Sequence, residues 1–321
     1  MKRRTFLATG GAALGMHLSL HAQPRYPDRA IRLVVPFAPG GDGDVMGRTW
    51  VKYAVPLSNG YTVFVDNKAG AGGAIGAVEV ARAKADGYTL LLGTTTTQIV
   101  NPLASANPQY DPLKDFALNG MVSVNPTCVV VNPSLPVKSL AELAAYAKAN
   151  PLSYGSAGQG TITNLTGELF KYLAGKLEIQ HVPYKGGGPA MQDLIAGHVP
   201  IITPILSSAV LAQHRSGKAR ILAVNSDVRL KAAPDIPTAI ESGLPDMRVQ
   251  VFNAVFAPAG TPAVALDALR ALSRKVQADS AFVQEVEKSG AEVLAVADPD
   301  KYLQDEVARW RQVIKMTQFK I

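Results

Sequence analysis

The chain has 321 residues, a net charge of +7 and a single cysteine. This length predicts two lobes rather than one compact core. The positive charge forms no Lys/Arg run interleaved with aromatic residues, which argues against a nucleic-acid surface. Cys128 lies in an apolar run and has no partner for a disulfide within the chain, so we expect a buried, inert thiol.

Residues 1–22 have the pattern of a secretory signal. Lys2, Arg3 and Arg4 precede an apolar, glycine-rich stretch over 6–20, and small residues precede the predicted cut. This stretch is too short for a membrane span. The arginine pair also fits a twin-arginine signal, although the same residues serve an ordinary export signal. We predict a periplasmic mature chain that is not inserted in a membrane.

Short β-branched runs alternate with helical patterns along the chain, which predicts βαβ units and mostly parallel sheets. The first half is predicted to hold strands at 31–37, 62–65 and 88–92, and helices at about 44–57 and over 75–81. Each strand leads into a loop, of which the one at 38–43 is rich in glycine and the one at 93–98 is rich in threonine.

From about Asn125 the same pattern starts again. The second half is predicted to hold strands at 128–131, 153–155, 180–183, 200–205 and 220–224, helices over 140–147 and 165–173, and further helices from Thr261 that place Trp310 and Val313 on an apolar face. A pattern that restarts and then returns predicts two lobes joined by crossing strands near Ser123 and Val224. The predicted lobes are 23–123 plus 225–321, and 124–224.

Two glycine-rich loops, 38–43 and 156–161, each lie between a predicted buried strand and a predicted helix. The first N–H groups of such a helix have no internal partner, and the helix dipole adds partial positive charge. A carboxylate can bind there without any lysine or arginine. The alternative is that both loops are only tight connections between elements.

The enzymatic motifs fail on spacing. The 155–161 stretch lacks the lysine of a phosphate-binding loop, and 70–76 misses the dinucleotide fingerprint by one residue. Tyr154 takes the first glycine position of a nucleophile elbow. The histidines after the signal are His181, His198 and His214. None has metal-ligand spacing, and His181 fits a structural histidine better than a base. We predict no catalytic residue, metal or cofactor.

Several motifs resemble, in order, the Bug receptors, which are the extracytoplasmic solute receptors of tripartite tricarboxylate transporters. They lie at 26–41, 67–73, 86–91, 154–161, 181–186, 234–238 and 257–262 and together cover essentially the whole mature chain. The resemblance implies an α/β, type II-like periplasmic binding protein of the Venus-flytrap kind, with a mixed or parallel sheet flanked by helices in each lobe. It also implies a monomer that delivers a small carboxylate to membrane permease subunits.

In that family the ligand carboxylate binds backbone amides and hydroxyls of the two glycine-rich loops. The resemblance therefore implies a set of ligand-binding residues in this chain. They are Phe37, Ala38, Gly40, Gly41 and Asp44 in the first loop, Ser156, Gly158, Thr161 and Asn164 in the second, and Thr96 in the third.

The chain departs from the family pattern at three places. Gly43 stands where the family usually has Thr or Ser, Asn164 where it usually has His, and 251–254 where a Trp-containing stretch is common. These changes put small dicarboxylates and amino acids in doubt as ligands. Aliphatic, aromatic, heterocyclic and amino acids all stay open.

Three charged residues have two interpretations each. Asp44 is either the N-cap of the first helix or an acceptor for a ligand ammonium or hydroxyl group. Arg48 and Lys185 are either ion-paired on the surface or provide charge in the cleft. Two other functions also stay open: a sensor that presents its ligand to a signalling system, and a hydrolase, which would need a nucleophile with a base in reach.

Overall fold

The computed structural model describes residues 26–58 and 60–321. The predicted signal at 1–22 lies outside these residues. Within the described ranges, no helix has both the length and the apolar character needed to cross a membrane.

The first sheet has five strands with the order β2-β1-β3-β10-β4. The strands are β1 (Ile31–Val35), β2 (Val63–Asn67), β3 (Thr89–Thr94), β4 (Phe116–Pro126) and β10 (Gln250–Pro258). β1 is parallel to β2 and β3, whereas β10 is antiparallel to β3 and β4. The apolar residues of β1, interrupted only by the half-buried Arg32, fit its position between two strands with cover on both faces.

Helices cover both faces of this sheet. They are α1 (Asp42–Leu57), α2 (Ala74–Ala81), α3 (Asn101–Ala104), α8 (Ala263–Ala278), α9 (Ser280–Lys288) and α10 (Pro299–Thr317). On one face Trp50 of α1 packs with Leu269 of α8 and Phe282 of α9. On the other face Trp310 of α10 is fully buried, as the apolar pattern around it predicts.

The second sheet also has five strands, with the order β7-β6-β8-β5-β9. The strands are β5 (Cys128–Val131), β6 (Leu152–Ser156), β7 (Ile179–Pro183), β8 (Ile201–Ile202) and β9 (Arg220–Val224), and the helices are α4 (Leu140–Ala149), α5 (Ile162–Leu173), α6 (Gly187–Ala196) and α7 (Ser208–Arg215). β6 is parallel to β7 and β8, while β5 is antiparallel to β8 and β9. The prediction of a two-lobed mixed α/β fold is confirmed.

Three chain segments lie side by side where the sheets meet. Thr127, between β4 and β5, donates its N–H to Val249 O at 2.9 Å and accepts from Asn225 N at 2.8 Å. The Asn225 side chain also donates to the Thr127 hydroxyl at 2.8 Å. These bonds tie the connecting segments together, while the exact lobe boundaries at 124 and 224 stay a prediction.

Several predicted elements need correction. The strand predicted at 200–205 is reduced to Ile201–Ile202, because proline at 200 and 204 has no N–H for a ladder. The threonine-rich loop continues into a π-helix at Thr96–Val100, and the long antiparallel strands β4 and β10 were not predicted. α1 begins at Asp42 rather than near Asp44.

Candidate ligand-binding cleft

The first glycine-rich loop leads into α1, whose N-terminus has no side-chain cap. Ala38, Gly40 and Gly41 are exposed and Phe37 is half-buried. Gly41 is the N-cap of α1, and no side chain caps this end in the described part of the chain. The first-turn amides therefore keep their hydrogen-bonding capacity, and the helix dipole adds positive potential. This end of α1 can bind a carboxylate.

Asp44 holds the first loop in place. Its buried carboxylate accepts hydrogen bonds from Gly40 N at 2.9 Å, Asn67 Nδ2 at 2.9 Å and Arg48 Nε at 3.0 Å. Burial alone would raise the pKa of Asp44, but the hydrogen bonds from Arg48, Gly40 and Asn67 outweigh it and lower the pKa. The N-cap position belongs to Gly41, and the Asp44 oxygens are occupied by the protein itself.

The aromatic ring of Phe37 takes the space beside Gly43. A Cβ at Gly43 would lie 2.8 Å from Phe37 Cδ2, closer than van der Waals contact allows. Gly43 therefore removes a hydroxyl donor, as its place in the family pattern implies, and it also admits the ring. The first loop gains an apolar wall next to its free amides.

Thr96 connects the two lobes. Its hydroxyl accepts a hydrogen bond at 3.2 Å from the N–H of Ile162, the first residue of α5. Thr95 accepts from Phe252 N of β10 at 2.9 Å. The threonine-rich turn therefore supplies acceptors both to the connecting strand and to the opposite lobe.

The second loop is bonded within itself. Thr161 is the N-cap of α5, accepting from Asn164 N at 3.3 Å and donating to Gly158 O at 2.7 Å. Asn164 accepts from Gly160 N at 3.2 Å and donates to the Tyr154 hydroxyl at 2.7 Å. Thr161 and Asn164 are buried, so the polar groups named for this loop already have partners inside it.

Sequence reasoning missed a partner of Ser156. His181 Nε2 lies 2.7 Å from Ser156 Oγ, and the imidazole stacks on Tyr154 with ring centroids 4.9 Å apart. Burial lowers the pKa of His181, which favours the neutral ring. The parallel pairing of β6 with β7 places Tyr154 beside His181, and this pairing is the signal that would have found the contact.

The Ser156–His181 contact is one that nucleophilic catalysis uses. A carboxylate that orients the histidine is absent from the hydrogen bonds of the described residues. Glu168 is the nearby acid whose charge acts on His181, but its oxygens bond to Tyr154 at 2.7 Å and Lys171 at 2.9 Å. His181 is therefore in reach of Ser156 but has no carboxylate that would fix its tautomer.

Asp42 is the second residue that sequence reasoning missed. Its carboxylate accepts from Asn125 Nδ2 of β4 at 3.4 Å and from Asn253 Nδ2 of β10 at 3.2 Å. Burial raises the pKa of Asp42 to about 6. Its partners are 83 and 211 residues away along the chain, so no local pattern could have shown this contact.

Arg48 forms an ion pair with Asp44, as the surface interpretation predicts, whereas Lys185 is exposed and has no ion pair among the described residues. Cys128 is fully buried, and burial raises its pKa. Within residues 26–58 and 60–321, no cluster of three His, Cys, Asp or Glu side chains has a metal-binding arrangement.

The paired sheets and the helix starts that meet between them define a solute-binding protein of the periplasmic class. A family model described as "Tripartite tricarboxylate transporter family receptor" matches residues 54–319. The chain belongs to this family of periplasmic solute-binding receptors, as do the Bug proteins that it is similar to.

Relatives match over nearly the full length. Protein BugT of Bordetella pertussis is 35% identical over 321 residues, which cover 98% of this chain and 96% of that protein. The structure of the periplasmic binding protein BugD has a TM-score of 0.84 at 34% identity, covering 92% of this chain and 99% of its own.

Two similar structures contain a ligand. A Rhodopseudomonas palustris protein with adipate has a TM-score of 0.86 at 33% identity, covering 92% of this chain and 99% of its own. MatC from the same organism, with bound malate, has a TM-score of 0.82 at 29% identity, covering 90% of this chain and 100% of its own. The family members and structural neighbours named here are solute-binding receptors rather than enzymes.

Proposed function

We propose that this chain captures a small carboxylate between its two glycine-rich loops and delivers it to the permease subunits of a tripartite transporter. The observation that carries this proposal is the uncapped start of α1, whose first-turn amides follow the exposed Gly40 and Gly41 and have no side-chain hydrogen-bond partner. The adipate and malate complexes of two similar proteins support a carboxylate as the ligand class. The chain acts as a monomer in the periplasm, after export directed by residues 1–22.

In the proposed mechanism the first loop binds the carboxylate and the second loop closes on it. The first-turn amides of α1 donate to the anion, and Ser156, Thr161 and Asn164 complete the site from the other lobe. Charge-assisted hydrogen bonds contribute roughly 1.5–3 kcal/mol each. Three of them support micromolar affinity, which corresponds to about 8 kcal/mol.

Two contacts in this structure already join the second loop to the other lobe, and the proposed closed state keeps them. Thr96 Oγ1 and Ile162 N join across the cleft at 3.2 Å. The side chain of Ile321 lies against Gly160 of the second loop, and Ile321 N donates to Ala104 O at 3.1 Å. A Cβ at Gly160 would approach Ile321 Cγ2 to 2.8 Å, so glycine permits this close contact. The closed shape is what the membrane subunits would recognise.

Thermal unfolding of refolded, ligand-stripped protein tests the proposal. The panel contains adipate, malate, and aromatic and heterocyclic carboxylates, each beside its amide or alcohol analogue. A ligand at 100 times its Kd adds about 2.7 kcal/mol to the free energy of unfolding, or roughly 5 °C in Tm for a chain of this size. We expect one class of acid to raise Tm and its neutral analogue not to. Equal shifts from the neutral analogues would contradict the proposal.

A further inference from the structure

We propose that Asp42 takes up a proton from solution when a carboxylate binds at the start of α1, so that the receptor binds its acid more tightly in acidic than in alkaline medium. This inference rests on the proposed function, since it describes the regulation of the same site. Asp42 is the first residue of α1. Its side chain therefore carries a negative charge into the turn whose amides would bind the ligand.

The first turn of α1 contains two acidic residues, which differ in how their charge is compensated. Asp44 is paired with Arg48 at 3.0 Å and also accepts hydrogen bonds from Gly40 N and Asn67 Nδ2, each at 2.9 Å. Asp42, by contrast, forms no ion pair among the residues that the structure describes. Of the two carboxylates at this helix end, Asp42 is the one whose charge no positive side chain offsets.

The groups that face Asp42 from the neighbouring strands are neutral. Asn125 Nδ2 of β4 lies 3.4 Å from Asp42 Oδ1, and Asn253 Nδ2 of β10 lies 3.2 Å from Asp42 Oδ2, both at or beyond the long end of hydrogen-bond distances. Ser123 Oγ accepts from Asn253 at 3.1 Å and donates to Asn125 at 2.9 Å. Amides and aliphatic hydroxyl groups do not titrate near neutral pH, so Asp42 is the group of this cluster that can exchange a proton.

Asp42 changes its protonation state close to neutral pH. The residue is half-buried, and its carboxyl group is turned towards the two amides. Burial raises the pKa of Asp42 to about 6, although the hydrogen bond from Asn253 acts in the opposite direction. No charged side chain contributes to this pKa. Above about pH 6, Asp42 is therefore ionised in most molecules of the unliganded protein.

A carboxylate bound to the first-turn amides changes this balance. Two carboxylates held at the same helix end repel each other, and a nearby like charge raises the pKa of a carboxyl group. Protonation of Asp42 removes the repulsion and also supplies an O–H donor that a ligand oxygen can accept. Because the liganded protein then binds the proton more tightly than the free protein, affinity is highest below the pKa of the free protein. It falls as pH rises to the pKa of the complex and stays low above it.

Titration calorimetry in buffers of different ionisation enthalpy counts the protons that are exchanged on binding. The probe is whichever of adipate, malate and benzoate raises Tm most, and it is titrated into refolded wild type, Asp42→Asn, and Asp246→Asn as the control at an exposed position. If binding raises the pKa of Asp42 to about 7, wild type should take up about half a proton per ligand near pH 6.5.

The affinity of wild type should also fall about 3-fold between about pH 6.5 and about pH 8.5, a range in which the probe acids themselves are ionised. Asp42→Asn should bind the probe without proton uptake and with the same affinity across this range, since an amide carries no charge to repel the acid. Asp246→Asn should behave as wild type in both measurements.

The outcomes separate this inference from the receptor function. If wild type bound the probe without taking up protons, the inference would be overturned and the receptor left intact. Proton uptake that survived in Asp42→Asn would belong to another group, such as His181 of the second loop, and would overturn it as well. If none of the three acids bound, the receptor proposal and the proton uptake would fall together.

Discussion

The two glycine-rich loops follow the same plan but end in opposite states. The first loop is exposed, and the helix after it has no side-chain cap. In the second loop Thr161 caps α5, Asn164 bonds to Gly160, and Ser156 contacts His181. Both strand–loop–helix turns look alike in sequence, yet only the first leaves the start of its helix without a side-chain cap.

This difference implies that the two loops contribute to binding in different ways. The first loop supplies free donors and therefore most of the binding free energy. The second loop is preorganised by its internal bonds, so it closes as a rigid surface with little further loss of conformational entropy. Substitutions in the first loop should therefore change affinity more than those in the second.

Gly41→Asp should give the largest effect. Gly41 has extended N-cap dihedrals and room for a side chain, since a Cβ would lie 3.5 Å from Ala38 O. An aspartate there would cap α1 with its own carboxylate and repel the ligand. We expect a loss of roughly 100-fold in affinity, about 2.7 kcal/mol, with stability unchanged or a few tenths of a kcal/mol higher.

The matched control is Gly41→Asn, which caps the helix without a charge. Titration calorimetry should give this variant a smaller loss than Gly41→Asp. Wild-type affinity in both variants would show that the start of α1 does not bind the acid, and the contrast between the loops would then disappear.

Asp42→Asn should raise the stability of the unliganded protein at neutral pH. Burial raises the pKa of Asp42 to about 6, so the folded state takes up a proton more readily than the unfolded chain. The free energy of unfolding therefore falls as pH rises from about 4 to about 6 and stays lower above that range. At about pH 7.5 the variant should be more stable by up to about 3 kcal/mol.

Denaturant unfolding between about pH 5 and pH 8 measures this difference. The advantage of Asp42→Asn should shrink towards the acid end, while Asp246→Asn, the control at an exposed position, should follow wild type throughout. A constant difference across the range would mean that Asp42 titrates no differently in the folded and unfolded protein.

Thr96→Val should weaken binding about 10-fold. The variant removes the acceptor for Ile162 N across the cleft and leaves a buried N–H without a partner in the closed state, a cost of about 1–3 kcal/mol. Thr89→Val, in β3 of the same sheet, is the control. Titration of the tightest acid should separate the two variants, and equal affinities would argue that closure does not use this bond.

Ser156→Ala should have the smallest effect on binding, about 5-fold or less, because the Ser156 hydroxyl already contacts His181 and Gly158. The same variant tests the hydrolase hypothesis. Assays with a panel of esters should show no turnover by wild type that Ser156→Ala loses. A Ser156-dependent turnover would make the Ser156–His181 pair catalytic and contradict a receptor function alone.

The sequence was sufficient for the alternation of elements and for both glycine-rich loops, because β1, α1 and the loop between them are local patterns. It could not show β4 and β10, whose antiparallel pairing joins residues more than a hundred positions apart. Asp42 and His181 were missed for the same physical reason. Their importance comes from partners on other strands, and nothing within a few residues of either one indicates those partners.

The sequence also could not show which polar groups of the two loops already have hydrogen-bond partners. Asn164 and Thr161 were predicted as ligand donors by resemblance, and the structure shows their side chains bonded to Tyr154 and Gly158. Whether a polar side chain already has a hydrogen-bond partner depends on distances of a few tenths of an ångström, which no residue pattern indicates. Their role in binding stays a prediction.

The central claim is that the open start of α1 binds the ligand carboxylate. Amide chemical shifts of isotope-labelled, refolded protein, followed during titration with the acid that raises Tm most, test it directly. We predict that the amides of Asp42, Gly43 and Asp44 show the largest shifts. If the acid stabilised the protein while these three amides stayed unchanged, the carboxylate would bind elsewhere and the account of the first loop would be wrong.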